Sequence, residues 1–96
     1  MTNIKNKIIE NLCYTELVYE RINKKLSANY SKKQIELFIN EALNKTNEMF
    51  YIKIGKNYYV SDTDNNLRIT INSNTFRVIT VDVLKANGGY LKERQK

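Results

Sequence analysis

Eight side chains carry most of the chemistry open to this chain: Tyr51, Lys53, Tyr59, Arg68, Thr70, Asn72, Thr75 and Arg77. Arg presents a planar fork that matches a phosphate or a carboxylate. Tyr presents a ring on which a nucleobase can stack, and with Arg it is a favoured anchor of protein interfaces. Thr and Asn add short donors and acceptors. Within each short run these residues stand two apart, so strands would place them on a common face. Three occupants of such a face stay open. They are a protein or nucleoprotein partner, RNA, or water alone, since Thr, Tyr and Arg are ordinary on a solvated sheet.

What is missing narrows the chemistry further. There is no His, which removes the commonest general base and the Ser–His and Cys–His nucleophile pairs. Cys13 is the single Cys, so no intramolecular disulfide and no thiolate metal cluster can form. Gly55, Gly88 and Gly89 make no phosphate-binding loop. Asp62 and Asp64 are spaced as in a calcium loop, but Leu67 and Ser73 stand where that loop needs Gly and Glu. They read as residues of a solvated turn. No metal and no cofactor is expected, and Cys13 is expected to be a small inert core side chain. One catalytic alternative survives, a toxin-like, metal-independent endoribonuclease. There Lys53, Tyr59, Arg68 and Arg77 would act as preorganised charge around a pentacoordinate phosphate. Simple RNA binding is a related reading.

The chain has 96 residues, a formal charge of +6 and 42% hydrophobic residues. That length suits one domain with its own core. The positive balance favours anionic partners in a general way, although the lysines are dispersed. Glu10 and Asn11 interrupt any apolar run near the N-terminus, against a signal peptide of ordinary form. No segment approaches the ~18 apolar residues of a membrane span. The expected setting is the cytoplasm, without a membrane partner.

The elements that must position the eight residues follow from periodicity. Ile4, Ile8, Ile9 and Leu12 form one helical stripe, and Tyr14, Leu17, Val18, Ile22 and Leu26 form a second behind the N-cap Thr15. Ser31 and Gln34 make a capping box for a third helix to about Lys45, with Ile35, Phe38, Ile39, Ala42 and Leu43 on one face. Its other side carries Glu36, Asn40, Glu41 and Asn44 beside Lys33, too acidic for a helix that reads DNA. After Asn47 the apolar period falls to two. Gly55-Lys56-Asn57 turns the first pair of strands, and Asp62 to Asn66 is a loop. The fold class is α+β, with three N-terminal helices packed on one face of a four-stranded antiparallel β-meander. Residues 1–86 form that domain, and 87–96 are expected to be a flexible basic tail.

Residues 67–82 read as a hairpin about a two-residue turn, Ser73-Asn74. That register sets Ile71 opposite Phe76, Thr70 opposite Arg77 and Ile69 opposite Val78. The covered face would then hold Phe50, Ile52, Ile54, Tyr58, Val60, Leu67, Ile69, Ile71, Phe76 and Val78. The open face would hold the eight residues named above and Ser61. Grouping Arg68 with Arg77 depends on that register.

The segments CYTELVYERINKKL (13–26), GKNYYV (55–60) and LRITINSNTFRVITVD (67–82) resemble a family of small bacterial single-domain proteins carried only as a domain of unknown function. The resemblance covers most of residues 10–85 and implies no activity. It implies a stand-alone cytoplasmic protein, some members belonging to mobile elements. It also leads one to expect a basic residue after Asp82, where this chain has Val83. The reading that fits best is a non-catalytic binding protein, a small inhibitor included, that engages a protein or nucleoprotein through the open sheet face. The endoribonuclease or RNA-binding protein is the alternative.

Overall fold

The computed structural model describes residues 3–84, so the tail expected at 87–96 lies outside the described residues. Helices α1 (Ile4–Asn11), α2 (Glu16–Leu26) and α3 (Lys32–Lys45) come first. A 3-10 turn, Glu48–Phe50, leads into β1 (Tyr51–Ile54), β2 (Asn57–Asp62), β3 (Leu67–Asn72) and β4 (Val78–Val83). The strands form one antiparallel sheet in the order β1-β2-β3-β4. The arrangement is α+β.

Local chemistry sets the helix ends. The Ser31 hydroxyl accepts from the Gln34 N–H at 3.1 Å, and the Gln34 side chain accepts from the Ser31 N–H at 2.7 Å. Two otherwise unpaired donors are satisfied reciprocally, which starts α3 where the sequence places it. Ser27 ends α2 in the left-handed region, φ 52°. The Asn23 side chain then holds the connection by bonding both the N–H and the carbonyl of Tyr30. The Lys5 ammonium donates to the carbonyls of Asn44 and Thr46, both at 2.8 Å, at the negative end of α3.

Helix α2 lies along β4, α3 reaches β2, and α1 packs on α3. Ile8, Ile22, Ile35, Ile39 and Leu43 meet Val60, Ile69, Ile71, Val78 and Val81 in a fully buried core. Leu17, expected in the buried stripe of α2, is instead exposed. It lies at the margin of β4 beside Arg21, Arg77 and Ile79, beyond the stripe that Val18 and Ile22 bury. Cys13 departs in the same way. Its thiol is exposed, and the residue serves through its backbone, which bridges the start of β4.

The first hairpin turns on two residues, Gly55-Lys56, with Ile54 opposite Asn57. Only Gly55 is left-handed there, φ 62°, which is the II′ arrangement that calls for Gly first. A two-residue turn sets Tyr51 opposite Val60 and Ile52 opposite Tyr59. Directly opposed residues share a face. Tyr51 therefore joins Val60, Ile69 and Val81 under the helices, and Ile52 and Ile54 point the other way. The covered face expected from the sequence is thus inverted along β1. Phe50, Ile52 and Ile54 are all exposed, and Tyr51 is buried.

The second hairpin is also not the one expected. The Asn72 N–H donates to the Arg77 carbonyl and the Phe76 N–H to the Asn72 carbonyl, so Ser73 to Phe76 form a four-residue loop. The Asn72 side chain accepts from the N–H groups of Asn74 and Thr75, a local bond that competes with a tighter turn. Phe76 takes φ 60° in that loop instead of pairing with Ile71. Lengthening the loop by two residues keeps the parity, so Val78 still enters the core, opposite Ile71. The register then shifts between Thr70 and Ile71. The irregularity turns Val81 inward, where the unbroken pattern would turn it out.

Candidate functional site

The outer face of the sheet, away from the core, is built by three rows of opposed residues. One row runs Ile52, Tyr59, Thr70 and Thr80, a second Ser61, Arg68 and Asp82, and a third Ile54, Asn57 and Asn72. Ile52 and Ile54 are 50% and 63% exposed although both are aliphatic and neighbours on one strand face. Together with Tyr59, Ser61 and Arg68 they line a shallow depression of about 430 Å³. The Arg68 guanidinium stands 5.6 Å from the centre of the Tyr59 ring, within range for a cation–π contact. Asp82 lies opposite Arg68 in register, but its carboxylate pairs with Lys25 at 3.0 Å. The Arg68 fork has no ion-pair partner among the described residues.

The eight residues singled out from the sequence are not brought together. Tyr59 and Arg68 share the outer face and touch. Tyr51 is a correction, since it is buried on the helix side and its hydroxyl donates to the Leu43 carbonyl at 2.6 Å. Burial, then the Glu48 carboxylate, pushes its phenol well above the ordinary range. Lys53 is a second correction. It lies on the same side as Tyr51, opposite Tyr58, and is exposed. Thr70 lies on the outer face but is buried, at 5% exposure. Asn72 and Thr75 belong to the β3–β4 loop, where Asn72 is occupied as a turn acceptor.

Arg77 bridges Cys13 and is level with Asn72, four residues along β3 from Arg68. That is roughly 13 Å of strand. The expected register would have set it two residues away. The group Lys53, Tyr59, Arg68 and Arg77, needed for phosphate chemistry, is therefore spread over two faces and both ends of the sheet. Asp62 is buried, and its carboxylate accepts from the backbone and side chain of Asn65. It holds the β2–β3 turn, although from the inside rather than in solvent.

Ile52 and Ile54 are the site residues that the sequence reading placed in the core. One signal could have found them. If the turn is Gly55-Lys56 alone, Val60 falls opposite Tyr51, and the buried strand face must then include the tyrosine.

No curated protein and no solved structure matches the chain. The family described as "Protein of unknown function (DUF3781)" matches residues 6–82. That span includes all but the first two residues of α1, the whole of α2 and α3, and all but the last residue of the sheet. With most of its 96 residues matched, the chain belongs to this family.

Proposed function

We propose that this protein is a non-catalytic binding protein that engages a protein partner through the outer sheet face around Ile52, Ile54, Tyr59 and Arg68. The observation that carries the reading is the exposure of two adjacent aliphatic side chains beside a Tyr–Arg pair. Contiguous exposed apolar surface of this kind marks interaction sites. Tyr and Arg at its border are the side chains that most often dominate binding energy. A protein partner fits better than RNA. The Tyr59 ring has Arg68 over it, and the two arginine forks stand at opposite ends of the hairpin. A small chain of this kind would act by occupying its partner's surface, as an inhibitor does. No helix of the described residues is long and apolar enough to cross a membrane. The setting we infer is the reducing cytoplasm, which suits a single exposed thiol.

The test is quantitative capture from cells with tagged wild type and with a triple variant, Ile52→Thr, Ile54→Thr and Arg68→Ala. The variant should keep the circular dichroism spectrum and lose at least about tenfold of the specific capture. A control variant on the helices, Leu17→Ser and Leu37→Ser, should keep it. Equal capture by the triple variant would refute the reading. Capture that disappears on nuclease treatment would transfer the face to nucleic acid.

A further inference from the structure

The two edges of the sheet are treated differently. The outer edge of β4 is occupied at its start. The Cys13 N–H donates to the Phe76 carbonyl at 3.1 Å, and the Val78 N–H donates to the Cys13 carbonyl at 2.9 Å. The Arg21 guanidinium covers the Ile79 carbonyl at 3.2 Å. The outer edge of β1 has no such cover among the described residues.

Strand parity says which groups that edge presents. A two-residue turn makes Ile54 and Asn57 its hydrogen-bonded closing pair. Bonded and non-bonded pairs then alternate, so Ile52 bonds Tyr59 while Tyr51 and Lys53 direct their backbone groups outward. The far side of β2 agrees, since the Lys56 carbonyl accepts from Ser73 at 2.8 Å, which places the even residues of β2 toward β3. The Tyr51 N–H is already used, donating to the Glu48 carbonyl of the 3-10 turn. Lys53 is left with an outward N–H and an outward carbonyl, flanked by the exposed Ile52 and Ile54. Natural edges are blunted by Pro, bulges or charge. This one has no Pro, no register shift against β2, and one charge, that of Lys53 itself.

A second copy of the chain is a poor occupant. Two antiparallel copies related by a two-fold axis must keep their sheet faces, so the axis passes through a residue. Centred on Lys53, the pairing sets ammonium against ammonium, and like charges directly opposite are unfavourable. Centred on Ile52, it needs the Tyr51 N–H that Glu48 already holds. A foreign strand escapes both difficulties.

We propose that the outer edge of β1 pairs antiparallel with an extended segment of the partner protein that reads apolar–acidic–apolar. This rests on the proposed role of the outer face and names what the partner presents to it. The acidic residue exchanges two backbone bonds with Lys53 and sets its carboxylate beside the ammonium. Its two neighbours lie on the outer face against Ile52 and Ile54. Backbone bonds supply attraction of any strand, and the alternate side chains supply the choice.

The test uses the full chain and a displayed library of eight-residue segments randomised at the central five positions. Selection on wild type should enrich Asp or Glu between two apolar residues. Selection on Lys53→Glu should enrich Lys or Arg there instead. Reversing that charge in a selected synthetic peptide should weaken binding to wild type about tenfold or more. N-methylation of its acidic residue should abolish binding, and the bound peptide should shift the amide resonances of Tyr51–Ile54. No enrichment, enrichment indifferent to Lys53→Glu, or tolerance of N-methylation would each overturn the edge pairing. Resonance shifts at Tyr59 and Arg68 without Lys53 would overturn it too and leave the outer-face reading standing. Loss of the tenfold capture difference described above would remove both.

Discussion

Replacing Tyr51 by Ala is expected to destabilise the protein by about 3–4 kcal/mol, the usual cost of emptying a buried aromatic site. Ile52→Thr, one position away, is expected to cost about 0.5 kcal/mol or less, as surface substitutions do. The contrast follows from the inverted phase of β1. The Tyr51 ring is buried and its hydroxyl closes on the Leu43 carbonyl at the end of α3. Ile52 is half exposed. Tyr51→Phe isolates the hydroxyl, and the loss of one such bond should cost about 1 kcal/mol. Urea denaturation measures all three, with the midpoint falling and the slope unchanged. In a domain of this size the Ala variant should melt roughly 15–25 °C lower. Were Ile52 in the core, as its apolar character suggests, the order of the first two variants would reverse.

That reversal shows where the sequence was legible and where it was not. The three helices could be read because their ends are set by local chemistry. Ser31 with Gln34 starts α3, and Asn23 with Ser27 closes α2, all within a few residues. The alternation in β3 could also be read, since Leu67, Ile69 and Ile71 all enter the core. The phase of β1 could not be read from its own residues, because Phe50, Ile52 and Ile54 look more like core than Tyr51 and Lys53. One residue of turn length decides it. A three-residue turn would have set Ile52 opposite Val60, and the two-residue turn sets Tyr51 there. In the second hairpin the loop is longer than expected by an even number, so the faces survive as far as Val78. The later register shift has no mark in the alternation, since Val78, Ile79, Val81 and Val83 are all apolar enough for either face. Of the candidate site, Tyr59 and Arg68 were legible as a pair on one face. Arg77 was misplaced along the strand by the loop, and the aliphatic half of the surface was hidden by its own hydrophobicity.

Raising the pH above about 10 is expected to unfold the protein cooperatively. Burial, with the Glu36 carboxylate adding to it, raises the Tyr14 phenol well above its ordinary range. Burial raises Tyr51 in the same direction, with Glu48 adding to it. Burial and the hydrogen bond to Glu36 push Tyr19 up to about 12. An unfolded chain releases these protons near pH 10, and the folded chain holds them. Between those points the folded state binds more protons, so stability falls as pH rises. Below about pH 10 both states are protonated and the contribution is complete. Phenolate absorbance should therefore rise in two stages, the later one coinciding with loss of the far-ultraviolet helix signal. Tyr51→Phe should lose less of its own pH 7 stability at pH 11 than wild type does. A single absorbance step with the helix signal intact would contradict the burial of the Tyr14 and Tyr51 phenols.

Turn parity leaves Lys53 with an unpaired backbone between two outward-facing isoleucines. Amide hydrogen exchange, read residue by residue by nuclear magnetic resonance, tests it directly. Ile52 and Ile54 should be protected by their bonds to Tyr59 and Asn57, and Lys53 between them should exchange at nearly the rate of an open chain. Protection of Lys53 with rapid exchange at Ile52 and Ile54 would mean the opposite phase, and neither the outer-face site nor the edge pairing would survive it.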